Sequence, residues 1–295
     1  MKNLKNLLTV ILALFLTSSS DGQTDIRNLD IVYIGNSITQ GVQLDDPAEE
    51  APPAFATKYI RTLKGVESAR FLNRGRSGYT TVNFLPTPVG ELSKAIQAVK
   101  EFHTDDSRQL VFSIMLGTND SAEEGPRGSP LYPEEYHFNI KAITDKLLSE
   151  FPGCKVVYQQ PIWYSPNTYN RSRYLKAGLE RLQSYFPELK SLVAEYSAAR
   201  PDQVSMGDTE AFDYFKENHL TDLIPEQGNA GTFYLHPNKK GAEALAEEFA
   251  RHPQRQRRDA HQRRRHDGPF AERRPVLPDR HRAAGVDSPP LPRGP

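Results

Sequence analysis

The chain has 295 residues, a formal net charge of zero and a single cysteine, Cys154. One cysteine excludes an intrachain disulfide, and it excludes a metal site built from several thiolates. The length suffices for one sizeable domain core. We expect no metal ion and no other cofactor.

The first 22 residues have the pattern of a secretory signal peptide. Lys2 and Lys5 precede an apolar run over residues 7–16, and three serines at 18–20 supply small residues before a polar segment. A membrane-spanning helix needs about 20 apolar residues, so this run is too short to span. The pattern predicts a secreted or periplasmic protein with no membrane span in the mature chain.

Residues 23–250 alternate between strand-like and helix-like patterns. Such alternation predicts an α/β fold with a mostly parallel sheet, right-handed crossovers and helices on both faces. The predicted strands are Leu29–Ile34, Ala69–Leu72, Leu110–Leu116, Lys155–Gln159 and Val204–Met206. The predicted helices are Ala54–Leu63, Leu92–Phe102, Glu134–Phe151, Tyr174–Tyr185, Leu189–Ala199 and Pro237–Phe249.

A glycine and a serine follow the first predicted strand. The apolar run Ile31–Ile34 ends in Gly35, and Ser37 comes two residues later. Open α/β sheets bind ligands at the carboxyl ends of their strands, so Ser37 is well placed to act as an exposed nucleophile. Taken alone, Gly-Asn-Ser is a common turn sequence.

Three further segments give this turn a chemical context. They are Gly75–Gly78 after the second strand, Gly117–Asp120 after the third, and His236–Asn238 at the start of the last helix. Each has an ordinary explanation as a turn or helix start. Other glycine motifs do not fit, because Gly35–Gly41 lacks the Gly-Lys-Ser/Thr ending of a phosphate loop and Ser37 is not in a Gly-x-Ser-x-Gly elbow.

Together the four segments resemble the SGNH (GDSL-like) hydrolase family. The resemblance implies a flavodoxin-like three-layer α/β/α sandwich with a five-stranded sheet, and carboxylic ester hydrolysis by a serine. It makes Ser37 the nucleophile and His236 the general base. It also implies an oxyanion hole formed by the Ser37 and Gly78 N–H groups and the side-chain amide of Asn119.

The sequence departs from the family pattern at two positions. Asn36 replaces the usual aspartate, a change that preserves a turn hydrogen bond. Phe233 stands three residues before His236, where the family has its acid. The spacing favours a backbone carbonyl as the imidazole's partner, giving a Ser–His dyad, with Asp222 or Glu226 from the preceding loop as the alternative. A third reading is an inactive relative.

Aromatic residues in the predicted loops suggest the substrate. Trp163, Tyr164 and Tyr169 follow the fourth strand, and Phe233 and Tyr234 precede the histidine. They either stack on sugar rings or simply pack the loops. With a secretory leader, they favour acetyl-ester hydrolysis on a small-molecule or glycan substrate. The alternatives are a lysophospholipase- or thioesterase-like acylhydrolase and a non-catalytic carbohydrate-binding protein; the oligomeric state is left open.

The composition changes abruptly at residue 251. Residues 251–295 hold 12 arginines, five acidic residues and no lysine, a formal charge of +7. A segment with so few large apolar residues is expected to be disordered. It is a frameshift product, a linker or a basic arm; the scarcity of aromatic residues argues against nucleic-acid binding.

Overall fold

The computed structural model describes residues 27–251. The predicted signal peptide and the Arg/Pro-rich segment beyond Arg251 lie outside these residues.

The core of the described chain is a parallel sheet of five strands in the order β2-β1-β3-β4-β5. This is the flavodoxin-like strand order, and it confirms the predicted fold class. Every predicted strand is present. The strands are β1 (Arg27–Gly35), β2 (Val66–Gly75), β3 (Gln109–Met115), β4 (Lys155–Tyr158) and β5 (Val204–Met206).

Helices cover both faces of this sheet. Alternate side chains of β1 point to opposite faces, so Ile31 packs with Ala56 and Ala246 on one side, while Val32 and Ile34 join the larger core on the other. The helices are α1 (Ser37–Gln40), α2 (Pro47–Glu50), α3 (Pro52–Ile60), α4 (Glu91–Phe102), α5 (Pro133–Glu150), α6 (Leu175–Ala199), α7 (Ala211–Asp222) and α8 (Lys239–Arg251). None of these described helices is both long and apolar enough to cross a bilayer.

Helix α6 joins two helices that the sequence predicts as separate. Pro187 lies inside it, at the place where the predicted helices are divided. An internal proline removes a backbone hydrogen bond and costs about 3 kcal/mol. Four buried residues on both sides of the proline continue the same core-facing stripe, and their burial keeps the helix continuous. They are Leu182, Tyr185, Leu189 and Leu192.

A two-stranded antiparallel hairpin precedes the last helix. Its strands are β6 (Leu223–Gly228) and β7 (Gly231–Pro237), and the sequence predicts neither of them, nor the preceding helix α7. In its register, Glu226 lies opposite Phe233. The hairpin therefore places a carboxylate beside the position where the family has its acid.

Candidate active site

The turn between β1 and α1 fixes the position of Ser37. The Asn36 side chain caps α1 by accepting a hydrogen bond from the Ile38 N–H at 3.0 Å, which is the turn bond expected of Asn36. Gly35 is required because a Cβ there would lie 2.0 Å from Oγ1 of Thr39. Helix α1 thus packs directly on the end of its strand, and Ser37 begins it.

The neighbouring strand β2 ends in a similarly close contact. A Cβ on Gly75 would lie 2.3 Å from the Gln40 backbone nitrogen. Asn73 accepts a hydrogen bond from the Gly75 N–H at 2.9 Å and donates to the Thr39 carbonyl at 2.8 Å. Gly75 and Asn73 therefore hold α1 against the sheet edge.

Ser37, His236 and Glu226 form a continuous chain of hydrogen bonds. The Ser37 Oγ lies 2.9 Å from the His236 Nε2, and the His236 Nδ1 lies 2.8 Å from the Glu226 Oε1. Ser37 and His236 are 8% and 7% exposed. Because the carboxylate can only accept, Nδ1 carries the proton, and Nε2 is then free to accept the serine proton.

The partner of Nδ1 differs from the one that the sequence favours. In place of a backbone carbonyl, the Glu226 carboxylate faces the imidazole. Phe233 occupies the family's acid position and is buried, while Glu226 faces it across the hairpin. The carboxylate that faces Nδ1 therefore comes from the paired strand, so sequence spacing from the histidine does not identify it.

The Glu226 carboxyl is ionised at neutral pH. Burial raises its pKa, but hydrogen bonds from His236 and Gln43 outweigh that effect and hold the pKa below its usual value. An ionised carboxylate fixes the imidazole tautomer and stabilises the imidazolium that forms when Nε2 takes a proton.

Asp222, the other candidate acid, lies in a different network. Its buried carboxylate accepts hydrogen bonds from the Tyr214 hydroxyl at 2.6 Å and the Thr221 hydroxyl at 2.7 Å, and it pairs with Lys240. Burial acts to raise its pKa, but these partners hold the pKa below its usual value. Asp222 ties the end of α7 to the start of α8 and does not contact the imidazole.

The three predicted oxyanion donors lie at the same edge of the sheet. Gly78 has φ +76°, a left-handed conformation that favours glycine, and it is exposed. The Asn119 Nδ2 donates to the Tyr79 carbonyl at 2.8 Å, next to Gly78. The Tyr174 hydroxyl donates to the Asn119 Oδ1 at 2.7 Å, which orients the amide with its NH₂ as donor. Ser37 opens α1, so its N–H has no acceptor within that helix.

Asp120, next to Asn119, links two of these loops through hydrogen bonds with Thr81. Its Oδ1 accepts from the Thr81 N–H at 2.8 Å and from the Thr81 hydroxyl, whereas Oδ2 bonds to nothing within residues 27–251. Full burial raises the pKa of Asp120 to about 6. The side chain therefore joins the Asn119 turn to the segment that follows Gly78.

The raised pKa of Asp120 predicts a pH-dependent stability. The folded state holds this proton more tightly than the unfolded chain, so the stabilisation is complete below about pH 4 and is lost as the pH rises through about 6. The loss is about 3 kcal/mol. Asp120→Asn cannot titrate. Urea denaturation at pH 4 and pH 7 should show the free energy of unfolding of the wild type falling by about that amount relative to the variant. Parallel profiles would contradict the assignment.

Most of the loop aromatic residues that the sequence suggests for substrate contact are buried. Trp163, Tyr164 and Phe233 are buried and pack in the core, so the loop-packing explanation holds for them. Tyr169 and Tyr234 are partly exposed. The His219 ring lies between Trp163 and Tyr234, with ring centroids 4.9 and 5.1 Å away.

Two further site residues are absent from the sequence-based predictions. Gln43 contacts both Glu226 and His236, and Tyr174 orients Asn119. The Gly228–Gly231 turn between two short runs is a hairpin signal that could have located Glu226. No sequence pattern identifies Gln43 or Tyr174. Within the described range, no group of three or more His, Cys, Asp or Glu side chains is arranged to hold a metal ion.

A serine hydroxyl, an imidazole and a carboxylate joined by hydrogen bonds at the carboxyl edge of a parallel sheet have the arrangement of a serine hydrolase triad. The model of the GDSL-like Lipase/Acylhydrolase family matches residues 33–244. The chain belongs to this family and is a carboxylic ester hydrolase. No curated protein sequence matches it.

Solved structures share the fold at low sequence identity. The aryl esterase of M. smegmatis is 16% identical with a TM-score of 0.51, covering 78% of this chain and 99% of its own. A carbohydrate acetylesterase from Sinorhizobium meliloti is 17% identical with a TM-score of 0.50, covering 76% and 97%. A variant of an acetyl-xylooligosaccharide esterase from Geobacillus is 16% identical with a TM-score of 0.51, covering 79% and 97%.

Proposed function

We propose that this protein is a secreted serine esterase that removes acetyl groups from carbohydrates through an acyl-enzyme on Ser37. The observation that carries the proposal is the chain Ser37 Oγ to His236 Nε2 at 2.9 Å and His236 Nδ1 to Glu226 Oε1 at 2.8 Å. These distances are within the range for proton transfer from nucleophile to base.

The first half of the reaction acylates Ser37. Its Oγ attacks the ester carbonyl carbon while the His236 Nε2 takes the hydroxyl proton. The carbonyl oxygen becomes an oxyanion, which accepts hydrogen bonds from the Ser37 and Gly78 N–H groups and the Asn119 amide. The bond to the sugar oxygen then breaks, and the imidazolium returns its proton to that oxygen. The sugar leaves as an alcohol.

The second half releases the acyl group. Water attacks the acyl carbonyl carbon while the His236 Nε2 takes one of its protons. The second oxyanion then collapses, the bond from the acyl carbon to Oγ breaks, and the imidazolium returns its proton to Oγ. The product leaves as acetic acid, which ionises to acetate in water. The ionised Glu226 stabilises the imidazolium in both halves. The three side chains end in the protonation state in which they started and can take up the next substrate.

The choice of acetylated carbohydrate is a proposal about the substrate. It follows the secretory pattern of residues 1–22 and the partly exposed rings of Tyr169 and Tyr234. Two proteins that share the fold are named for acetylated sugars. A short acyl group also fits a catalytic serine and histidine that are both more than nine-tenths buried.

The test compares acyl chain length and acceptor. Acetate release from acetylated xylooligosaccharides should be readily measured, and kcat/KM on p-nitrophenyl esters should fall at least about tenfold from the two-carbon to the eight-carbon acyl group. A discrimination of that size corresponds to about 1.4 kcal/mol in the transition state. Higher kcat/KM on the eight-carbon ester would favour the long-chain acylhydrolase instead.

Amino-terminal sequencing of the exported protein tests the proposed secretion. It should find the chain starting near residue 23, and a protein that keeps Met1 would contradict secretion.

A further inference from the structure

Gln43, in the loop that follows α1, contacts the acid of the proposed catalytic chain. Its side-chain Nε2 lies 2.7 Å from the Glu226 Oε2 and 3.1 Å from the His236 Nδ1. The amide must present its NH₂ to the carboxylate, because its oxygen would face another acceptor. Gln43 thus occupies one carboxylate oxygen while the imidazole occupies the other.

The backbone around Gln43 connects this contact to the nucleophile. The N–H groups of Gly41 and Val42 both donate to the Ser37 carbonyl at 3.0 Å, closing the turn that ends α1. Gln43 follows directly with φ +72°, in the left-handed region that favours glycine. A side chain held at a strained backbone position beside a catalytic group indicates a functional constraint.

Glu226 needs support because it lies on a two-stranded hairpin outside the main sheet. Strand β7 is anchored in the core by Phe233 and Leu235, whereas β6, which carries Glu226, buries only Leu223. Contacts with the loop after β4 hold β7 on one side, where the Ser165 N–H donates to the Tyr234 carbonyl at 2.9 Å. Gln43 holds the acid itself from the α1 side.

We infer that Gln43 is a positioning residue that aligns the Glu226 carboxylate with His236 and couples it to the segment that carries Ser37. This inference rests on the proposed function. The hydrogen bond to Oε2 keeps Oε1 directed at the imidazole while Nδ1–H donates to it. Gln43 has no role in the acyl transfer itself and acts only through Glu226.

The experiment compares Gln43→Gly and Gln43→Met with the wild type on p-nitrophenyl acetate. Both variants lack the donor, and methionine keeps most of the side-chain length. We expect kcat to fall about tenfold in each, or about 1.4 kcal/mol, with KM within about twofold. Because glycine accepts φ +72° without strain, Gln43→Gly should keep the melting temperature at or above that of the wild type.

Two controls separate positioning from a structural effect. Asp202 is also exposed and has φ +65°, so Asp202→Gly makes the same backbone change without a contact to the acid and should leave kcat unchanged. In a Glu226→Ala background, adding Gln43→Gly should change the remaining rate by less than about twofold, because non-additivity marks residues that act together.

Wild-type kcat in Gln43→Gly, or a full tenfold loss that persists without Glu226, would overturn this inference. Either result could occur while Ser37→Ala is inactive, in which case the proposed esterase mechanism stands. An active Ser37→Ala variant would instead refute the proposed function.

Discussion

Replacing Ser37 with alanine is expected to abolish ester hydrolysis and covalent labelling together. The variant removes the oxygen that lies 2.9 Å from the His236 Nε2, and no acyl-enzyme can form without it. Loss of the nucleophile from a triad can reduce kcat by about 10⁶. A fluorophosphonate probe should add one label to the wild type, on the peptide that contains Ser37, and none to Ser37→Ala.

Ser77 provides a matched control for this result. It lies on the adjacent loop, where its backbone N–H donates to the Gln40 Oε1 at 2.7 Å, and its side chain is exposed. Ser77→Ala should still take the label on Ser37, because its hydroxyl has no base beside it in the described structure. Labelling that survives Ser37→Ala would identify another nucleophile and remove the basis of the proposed mechanism.

The sheet and the turn that carries Ser37 could be predicted because their signals are local. Apolar strands that end in glycine mark the sheet edge. Glycine is required at positions 35 and 75 because a Cβ on Gly35 or Gly75 would lie 2.0 or 2.3 Å from an atom of α1. Each signal lies within a few residues of the group that it positions. Because each motif can be recognised locally, the order of the motifs along the chain can be read directly from the sequence, and that order resembles the family pattern.

The carboxylate partner of His236 could not be predicted because its position depends on strand pairing. Glu226 lies ten residues before His236, and only the register of β6 against β7 brings its carboxylate to Nδ1. Pro225 lies within β6, and a proline inside a short run argues against a strand, so the sequence pattern indicates a loop. A hairpin whose strands are short and interrupted gives a weak periodic signal, so spacing alone favours the backbone carbonyl as the partner of the imidazole.

Helix α7 and the continuous α6 show tertiary packing overriding local signals. Only a few residues of α7 are buried, among them Phe212 and Phe215, so its amphipathic pattern is weak. In α6 the proline argues for a break, yet the buried stripe continues through it. In α7, the Phe212 ring packs edge-on against Phe186 of α6, with ring centroids 5.2 Å apart. Burial against other elements therefore decides both helices, over their local propensity.

Glu226→Gln should reduce activity without affecting stability, whereas Asp222→Asn should reduce stability with little effect on activity. Glutamine keeps the shape of Glu226 but removes the charge that stabilises the imidazolium, and its NH₂ can hold the imidazole in the wrong tautomer. Amide replacement of a triad acid can reduce kcat by about 10⁴. We expect a loss of that order in Glu226→Gln, with KM and the melting temperature close to those of the wild type.

Asp222→Asn should instead keep kcat within about tenfold and lower the melting temperature. Its carboxylate is buried and accepts from Tyr214, Thr221 and Lys240, so the amide replaces an accepting oxygen with a donor and leaves Lys240 without its charge partner. Kinetics on p-nitrophenyl acetate and thermal melts of both variants provide the comparison. A collapse of kcat in Asp222→Asn with a normal rate in Glu226→Gln would identify Asp222, and not Glu226, as the acid that orients His236. Near-normal rates in both variants would show that neither carboxylate orients the imidazole. A backbone carbonyl would then be the acceptor for the Nδ1 proton, as the sequence spacing favours.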